Sequence, residues 1–131
     1  MRRALPFAVL SATIFISSTL HAQNDRFAYA ITDLSKDGAS WIALRKIDLQ
    51  TGQYSNILLN GSDTKTIVYD AVSKKQLNQQ TDARYGTMLQ SPFATGVAAA
   101  AYDRKHNRLY FTPMFIDQLR YIDLRTMKVF Y

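Results

Sequence analysis

Large and small side chains alternate along Phe27-Ala-Tyr-Ala-Ile-Thr32, with Phe27, Tyr29 and Ile31 on one side and Ala28, Ala30 and Thr32 on the other. A period of two belongs to an extended strand, whose successive side chains point to opposite faces. The same reading predicts strands over Trp41–Leu49 and Tyr54–Leu59, set apart by turn chemistry. Asp37-Gly38 breaks the chain before Trp41, and Gln50-Thr-Gly52 breaks it before Tyr54. Gly52 suits the left-handed residue of a short hairpin loop with a bulge. A three-stranded antiparallel meander is therefore expected over residues 27 to 60.

The middle of the chain is less regular. Thr66-Ile-Val-Tyr69 predicts a short strand, and Ala71 to Gln80, polar and rich in Lys and Gln, fits either a single helical turn or a loop. Thr81 to Thr95 contains Gly86 and Pro92 and shows no period, so 61–96 is expected as an irregular insertion. Pattern returns after Gly96. Four alanines in Val97–Tyr102 suit a helix by propensity. The run is short, however, follows a glycine and enters the turn Asp103-Arg-Lys-His-Asn107, which favours a strand of small side chains. Arg108–Ile116 is rich in β-formers, and Pro113, which cannot donate to a ladder, marks an end, a bulge or an edge. Leu119–Leu124 and Lys128–Tyr131 complete a second meander over 97–131.

One segment occurs twice. Leu44-Arg-Lys-Ile-Asp-Leu-Gln-Thr51 returns as Leu119-Arg-Tyr-Ile-Asp-Leu-Arg-Thr126, identical at six of eight positions. A repeated strand-and-turn unit is the sign of a repeat architecture. The first copy resembles the third strand and following turn of β-propeller blades of the YVTN, NHL and quinoprotein-like kinds. Val97–Thr126 resembles the first three strands of such a blade. The resemblance implies an all-β fold of antiparallel meander sheets, one to two blades of an incomplete ring, because closure takes at least about four blades. It also implies that the chain is the N-terminal part of a longer propeller.

The likeness has departures. Blades repeat every ~40–50 residues, whereas these copies begin at Leu44 and Leu119. No opening strand is evident before Phe27. Met127 stands where Gly52 stands in the first copy. A non-glycine residue in the left-handed region costs about 1–2 kcal/mol, so the second turn is expected to take another geometry.

The first residues change the picture of where the protein works. Met1-Arg-Arg3 precedes an apolar run from Ala4 to Ile16 and then Ser17-Ser-Thr-Leu-His-Ala22. A positive start, an apolar stretch and a small residue at the cut are the layout of a secretory signal. The run is interrupted by Ser11 and Thr13 and falls short of the ~20 apolar residues of a membrane span. Cleavage after about Ala22 is expected, leaving 23–131 as a secreted or periplasmic repeat region with no membrane attachment.

Composition narrows the chemistry. The 131 residues contain no cysteine, which excludes a disulfide framework, a thiol nucleophile and a cysteine lipid anchor. All ten acids are Asp, which suits a turn-rich β chain. The net charge is +6, but the bases are scattered, as at Lys36, Arg45, Arg84 and Arg120. A nucleic-acid binder concentrates them in a stripe, so a nucleic-acid partner is not expected.

Candidate chemistry is sparse. His106 lies in a turn with Asp103, and a solvated hairpin turn is expected rather than a nucleophilic triad. One mature histidine and no cysteine leave too few ligands for zinc. Asp48 and Asp123 occupy equivalent repeat positions, which points to capping of their own turns, since a catalytic role would be singular. Asp33 and Asp37 precede Gly38 without the spacing of a calcium loop. Ser35-Lys-Asp-Gly-Ala-Ser-Trp41 narrowly misses the Asp-box of sialidase-type propellers, and Trp41 is expected in a core or between blades. No catalytic, cofactor-binding or metal residue is assigned. The expected function is non-enzymatic binding or scaffolding, with an unknown ligand or protein partner. The alternatives are a propeller hydrolase or lyase whose active site is not in this chain, and a free-standing small β-sheet protein.

Overall fold

The computed structural model describes residues 26–34, 38, 40–77, 84, 86 and 90–131. The expected signal and its cleavage site lie outside the described residues, as does most of the Asp-box-like stretch and of 78–89. Eight strands follow one another: β1 (Phe27–Thr32), β2 (Ala43–Asp48), β3 (Leu59–Asn60), β4 (Val68–Tyr69), β5 (Val97–Asp103), β6 (Arg108–Pro113), β7 (Arg120–Asp123) and β8 (Lys128–Phe130). The protein is all-β, with no α-helix among the described residues. Among the described residues no helix is long and apolar enough to cross a membrane.

The strands form two open sheets, ordered β1-β2-β3 and β4-β8-β7-β6-β5. Every pairing is antiparallel except β4 with β8. Register follows the alternation of side chains. Ile31, Leu44 and Leu59 are cross-strand partners on one face of the first sheet. Leu109, Ile122, Val129 and Val68 line up across the second. All of these except Ile31 are buried, and a single apolar cluster containing them joins the two sheets. Tyr110 and Phe111, as neighbours on β6, must face oppositely. Phe111 enters the core against Phe93, with ring centroids 5.3 Å apart, while Tyr110 faces outward.

The strands of both meanders are stopped by one device. At Asp48 the carboxylate accepts the N–H groups of Gln50 at 2.8 Å and Thr51 at 3.2 Å, and the carbonyl accepts Gly52 N–H at 2.8 Å. At Asp123 it accepts Arg125 N–H at 2.9 Å and Thr126 N–H at 3.2 Å, and the carbonyl accepts Met127 N–H at 2.7 Å. The fifth residue is left-handed in both, with φ 71° at Gly52 and 55° at Met127. The expectation of a different turn at Met127 is therefore corrected. Three hydrogen bonds to Asp123 hold the turn closed and offset the left-handed cost, and the Met127 side chain packs on the core. Asp70 and Asp103 build the same turn, with Lys74 at φ 61° and Asn107 at φ 54° in the fifth place.

Other expectations shift in extent. Tyr54–Leu59 is not one strand. Tyr54 bridges Ile47, but Leu59 pairs with Leu44, a slip of two residues. Ser55 causes it: its hydroxyl accepts Lys46 N–H at 3.0 Å and donates to Asn56 carbonyl at 2.7 Å, in competition with the ladder. β6 ends at Pro113 opposite a bulge in β5, as proline's missing N–H requires. Trp41 is not a core residue; it is 52% exposed and left-handed at φ 46°. Asp33 gathers Leu34 N–H, Ser40 N–H and the Ser40 hydroxyl, which closes the loop just before Trp41.

The insertion is less irregular than its sequence suggests. It supplies β4, which covers the free side of β8, and Tyr131 exchanges backbone bonds with Tyr69 and Ala71. Residues 71–77 turn back so that Gln76 bridges Tyr69, which decides for a loop over a helical turn. The insertion also contributes Phe93, fully buried and pressed close to Gly61, where any Cβ would strike its ring.

Candidate functional site

The inner faces of the two sheets meet tightly around Leu44, Leu59, Phe111 and Ile122 and part towards one end. Alternation along β1 continues the apolar face from Ile31 through Tyr29 to Phe27. Pairing sets Lys46 beside Tyr29 and Asp48 beside Phe27. Opposite them stand Ala100 and Tyr102 of β5. The result is a groove of about 570 Å³ whose walls include Arg26, Phe27, Tyr29, Lys46, Tyr102 and Arg104. An adjoining hollow of about 310 Å³ shares Arg26, Phe27 and Lys46 and continues past Asp48 to Gln53 and Ser55.

The groove is aromatic in its body and basic at its rim. Tyr29 and Tyr102 touch across it with ring centroids 5.4 Å apart, linking the sheets. Burial raises the Tyr29 phenol above its ordinary value, so it remains a neutral hydrogen-bonding group. Phe27 and Tyr102 are 51% and 47% exposed, large for aromatic side chains. The Arg26 guanidinium lies 5.4 Å from the Phe27 ring centre and the Lys46 ammonium 5.6 Å from that of Tyr29. Arg26 is also bridged to Asp48 at 3.0 Å. Hydrogen bonding from Gln50 N–H, with further help from Arg26 and Thr51, holds the Asp48 carboxyl below its usual range.

A second aromatic row crosses the outward face of the second sheet. Tyr110, Tyr121, Phe130 and Tyr69 follow one another across four strands, with successive centroids 5.4, 5.0 and 5.7 Å apart. Arg108 covers the Tyr121 ring at 4.6 Å, Lys74 that of Phe130 at 4.9 Å and Lys128 that of Tyr69 at 5.0 Å.

His106, Asp48 and Asp123, weighed in the sequence as catalytic or metal-binding candidates, lie in the turns expected of them. His106 Nδ1 lies 2.6 Å from Asp103 Oδ2, and the same carboxylate accepts His106 N–H at 3.1 Å. The pair closes an exposed turn, and among the described residues no hydroxyl is bonded to the other ring nitrogen. Asp48 and Asp123 sit at the ends of different sheets and each holds its own turn. Among the described residues no three His, Cys, Asp or Glu side chains converge. Arg26, Lys46 and Arg104, which give the groove its charge, look merely scattered in sequence; the signal is the alternation that places Lys46 two residues before Asp48 on a face shared with Tyr29. No family model, curated protein or solved structure matches the chain.

Proposed function

We propose that the chain is an exported β-propeller-like repeat protein with a non-enzymatic binding role, its ligand seated in the groove between the two sheet units. The groove itself carries the reading. It has the volume of a small-molecule site, aromatic rings of Phe27, Tyr29 and Tyr102 in its walls, and charged side chains beside them. The repeat reading is supported by the like placement of the two copies. Each copy lies in a strand flanked by the preceding and following strands of its sheet, and each runs into the same Asp turn. Export rests on the charged and apolar start of the chain. Binding rather than catalysis is supported by the use of the His106–Asp103 pair as a turn closure.

Amide-resolved NMR titration of the purified chain with a panel of neutral sugars, acidic sugars and short peptides tests this. At least one class should shift resonances of Tyr29, Lys46, Ala100 and Tyr102 together. Shifts confined to other surfaces, or turnover of a panel member, would refute it.

A further inference from the structure

The second sheet ends in an open strand edge beside the groove. Antiparallel strands bond through alternate residues. Leu124 N–H donates to the Asn107 carbonyl at 3.1 Å, which fixes the phase. Leu109 and Phe111 then bond β7, while Arg108, Tyr110 and Thr112 bond β5 at Asp103, Ala101 and Ala99. The main-chain groups of Ala100 and Tyr102 point away from the sheet, and among the described residues nothing pairs with that side of β5. Unpaired edges invite another strand, and proteins blunt them with short strands, lysine or proline. The edge strands β3 and β4 are two residues long. β1 is exposed only at Phe27. β5 runs for seven residues, lies exposed from Ala98 to Tyr102 and contains neither lysine nor proline.

Each face of that edge borders a hollow. Ala100 and Tyr102 line the groove of about 570 Å³, and Ala99 and Ala101 border a hollow of about 160 Å³ with Tyr110 and Leu119. A strand laid along β5 turns alternate side chains to opposite faces. One set would meet Phe27, Tyr29 and Tyr102 in the groove, and the other would meet Leu119, which is 59% exposed. A second copy offering its own β5 would set alanine against alanine and leave both hollows unfilled. A sugar would fill the groove and leave the main-chain groups of Ala100 and Tyr102 to water. We infer that the site takes an extended apolar segment of another protein, which adds a strand beyond β5 through main-chain bonds and fills the two hollows with alternate side chains. The inference rests on the groove being the binding site.

Amide NMR and hydrogen exchange of the full chain, titrated with the blocked peptide acetyl-Ser-Val-Tyr-Val-Tyr-Val-Ser-amide, decide it. With the peptide at about ten times its Kd, exchange of the Ala100 and Tyr102 amides should slow about tenfold, while Ala99 and Ala101, already bonded to β6, change little. The peptide is also made with N-methyl groups on its second, fourth and sixth residues, or on its third and fifth. One set should lose at least about tenfold in affinity and the other less than about threefold, because only one set faces β5. Ala100→Pro removes an outward N–H and leaves the β6 ladder intact, so it should weaken the peptide about tenfold with an unchanged melting temperature. Equal loss in both methylated sets, uniform slowing along β5, or full affinity in folded Ala100→Pro would overturn strand addition. Slow exchange at Ala100 without peptide, growing with protein concentration, would make the occupant a second copy and overturn the partner. If maltotriose rather than the peptide moves Tyr29, Lys46, Ala100 and Tyr102, binding in the groove survives and the strand inference falls. If neither probe moves them, both fall.

Discussion

Replacing Arg120 by methionine sets two large and opposed effects against each other. Among the described residues Arg120 is the one buried charged side chain, 1% exposed on the inner face of β7 beside Phe111. Burial pushes its guanidinium down to about 10, so it still carries its charge at neutral pH. At about 1.4 kcal/mol per pH unit, that displacement corresponds to roughly 3 kcal/mol of unfavourable desolvation. Against it stand donations from Nε to Gln118 Oε1 at 3.0 Å, from Nη1 to the Pro92 carbonyl at 2.8 Å, and from Nη1 to the Ser91 carbonyl. Hydrogen bonds from a charged donor contribute about 1.5–3 kcal/mol each, and a buried carbonyl left without a donor costs about 1–3 kcal/mol more. The hydrogen bonds win. Arg120→Met, which keeps the length and apolar stem, should destabilise by about 2–4 kcal/mol, the surplus of the lost charged hydrogen bonds over the relieved desolvation. Arg120→Lys should lose less, since one ammonium still reaches the two carbonyls. Urea denaturation followed by circular dichroism measures both. A methionine variant as stable as the parent would show that desolvation outweighs the bonds and would remove Arg120 as the tie between β7 and the 90–95 turn.

Three further expectations concern the turns. Phe115 is 83% exposed at φ 63°, so Phe115→Asn removes a strained residue without losing a core contact and should stabilise by about 0.5–1 kcal/mol in the same urea assay; a loss would mean that the ring is anchored. Gly52 has φ 71° and open space around it, so Gly52→Ala should cost about 1 kcal/mol from backbone strain alone, and a neutral result would show that the turn relaxes. Asp48, Asp70 and Asp103 have lowered carboxyl values, chiefly through Gln50 N–H, Ser73 N–H and the His106 side chain respectively. Groups lowered in the native state contribute stability that is present above the unfolded value, near pH 4, and lost as the pH falls through the native values. Urea midpoints should therefore decline below about pH 4, and less steeply in Asp48→Asn; an acid limb unchanged by that substitution would place the coupling elsewhere.

Much of the architecture was legible because alternation reports strand faces directly. β1, β6 and the outer limits of both meanders follow from it, and so does the opposed placement of Tyr110 and Phe111. Arg120 was legible in principle: it alternates with Ile122 of β7 and with Leu124 just past the strand, both buried, yet a lone base in a chain of scattered bases reads as solvated. Phe93 was not, because a single apolar residue between turns has no period to reveal it. The turns at Asp70 and Asp103 share the form of those at Asp48 and Asp123, but the residues between Asp and the left-handed position differ, so identity hid a common geometry. The groove was beyond reach for a deeper reason. Periodicity says which residues share a face, not which sheet stands opposite, and Arg26, Lys46 and Arg104 meet only through sheet packing.

The choice between the two aromatic surfaces turns on how much of each ring stays open. On the outward face of the second sheet each aromatic ring has a neighbouring ring, and three of the four carry a cation over the face. The stems of Arg108, Lys74 and Lys128 lie along that apolar surface while their heads reach water. None of the four rings ranks among the strongly exposed aromatics. That row is satisfied by its own sheet, and a ligand there would have to displace cation–aromatic contacts worth about 0.5–1 kcal/mol each. In the groove Tyr29 and Tyr102 form a tilted pair with centroids 5.4 Å apart, and Phe27 and Tyr102 keep about half their surface open. Arg26 lies over Phe27 and Lys46 over Tyr29 there as well, so cation–aromatic cover does not separate the two surfaces. Exposure does, since Phe27 and Tyr102 are about half open and no ring of the outward row is among the strongly exposed aromatics.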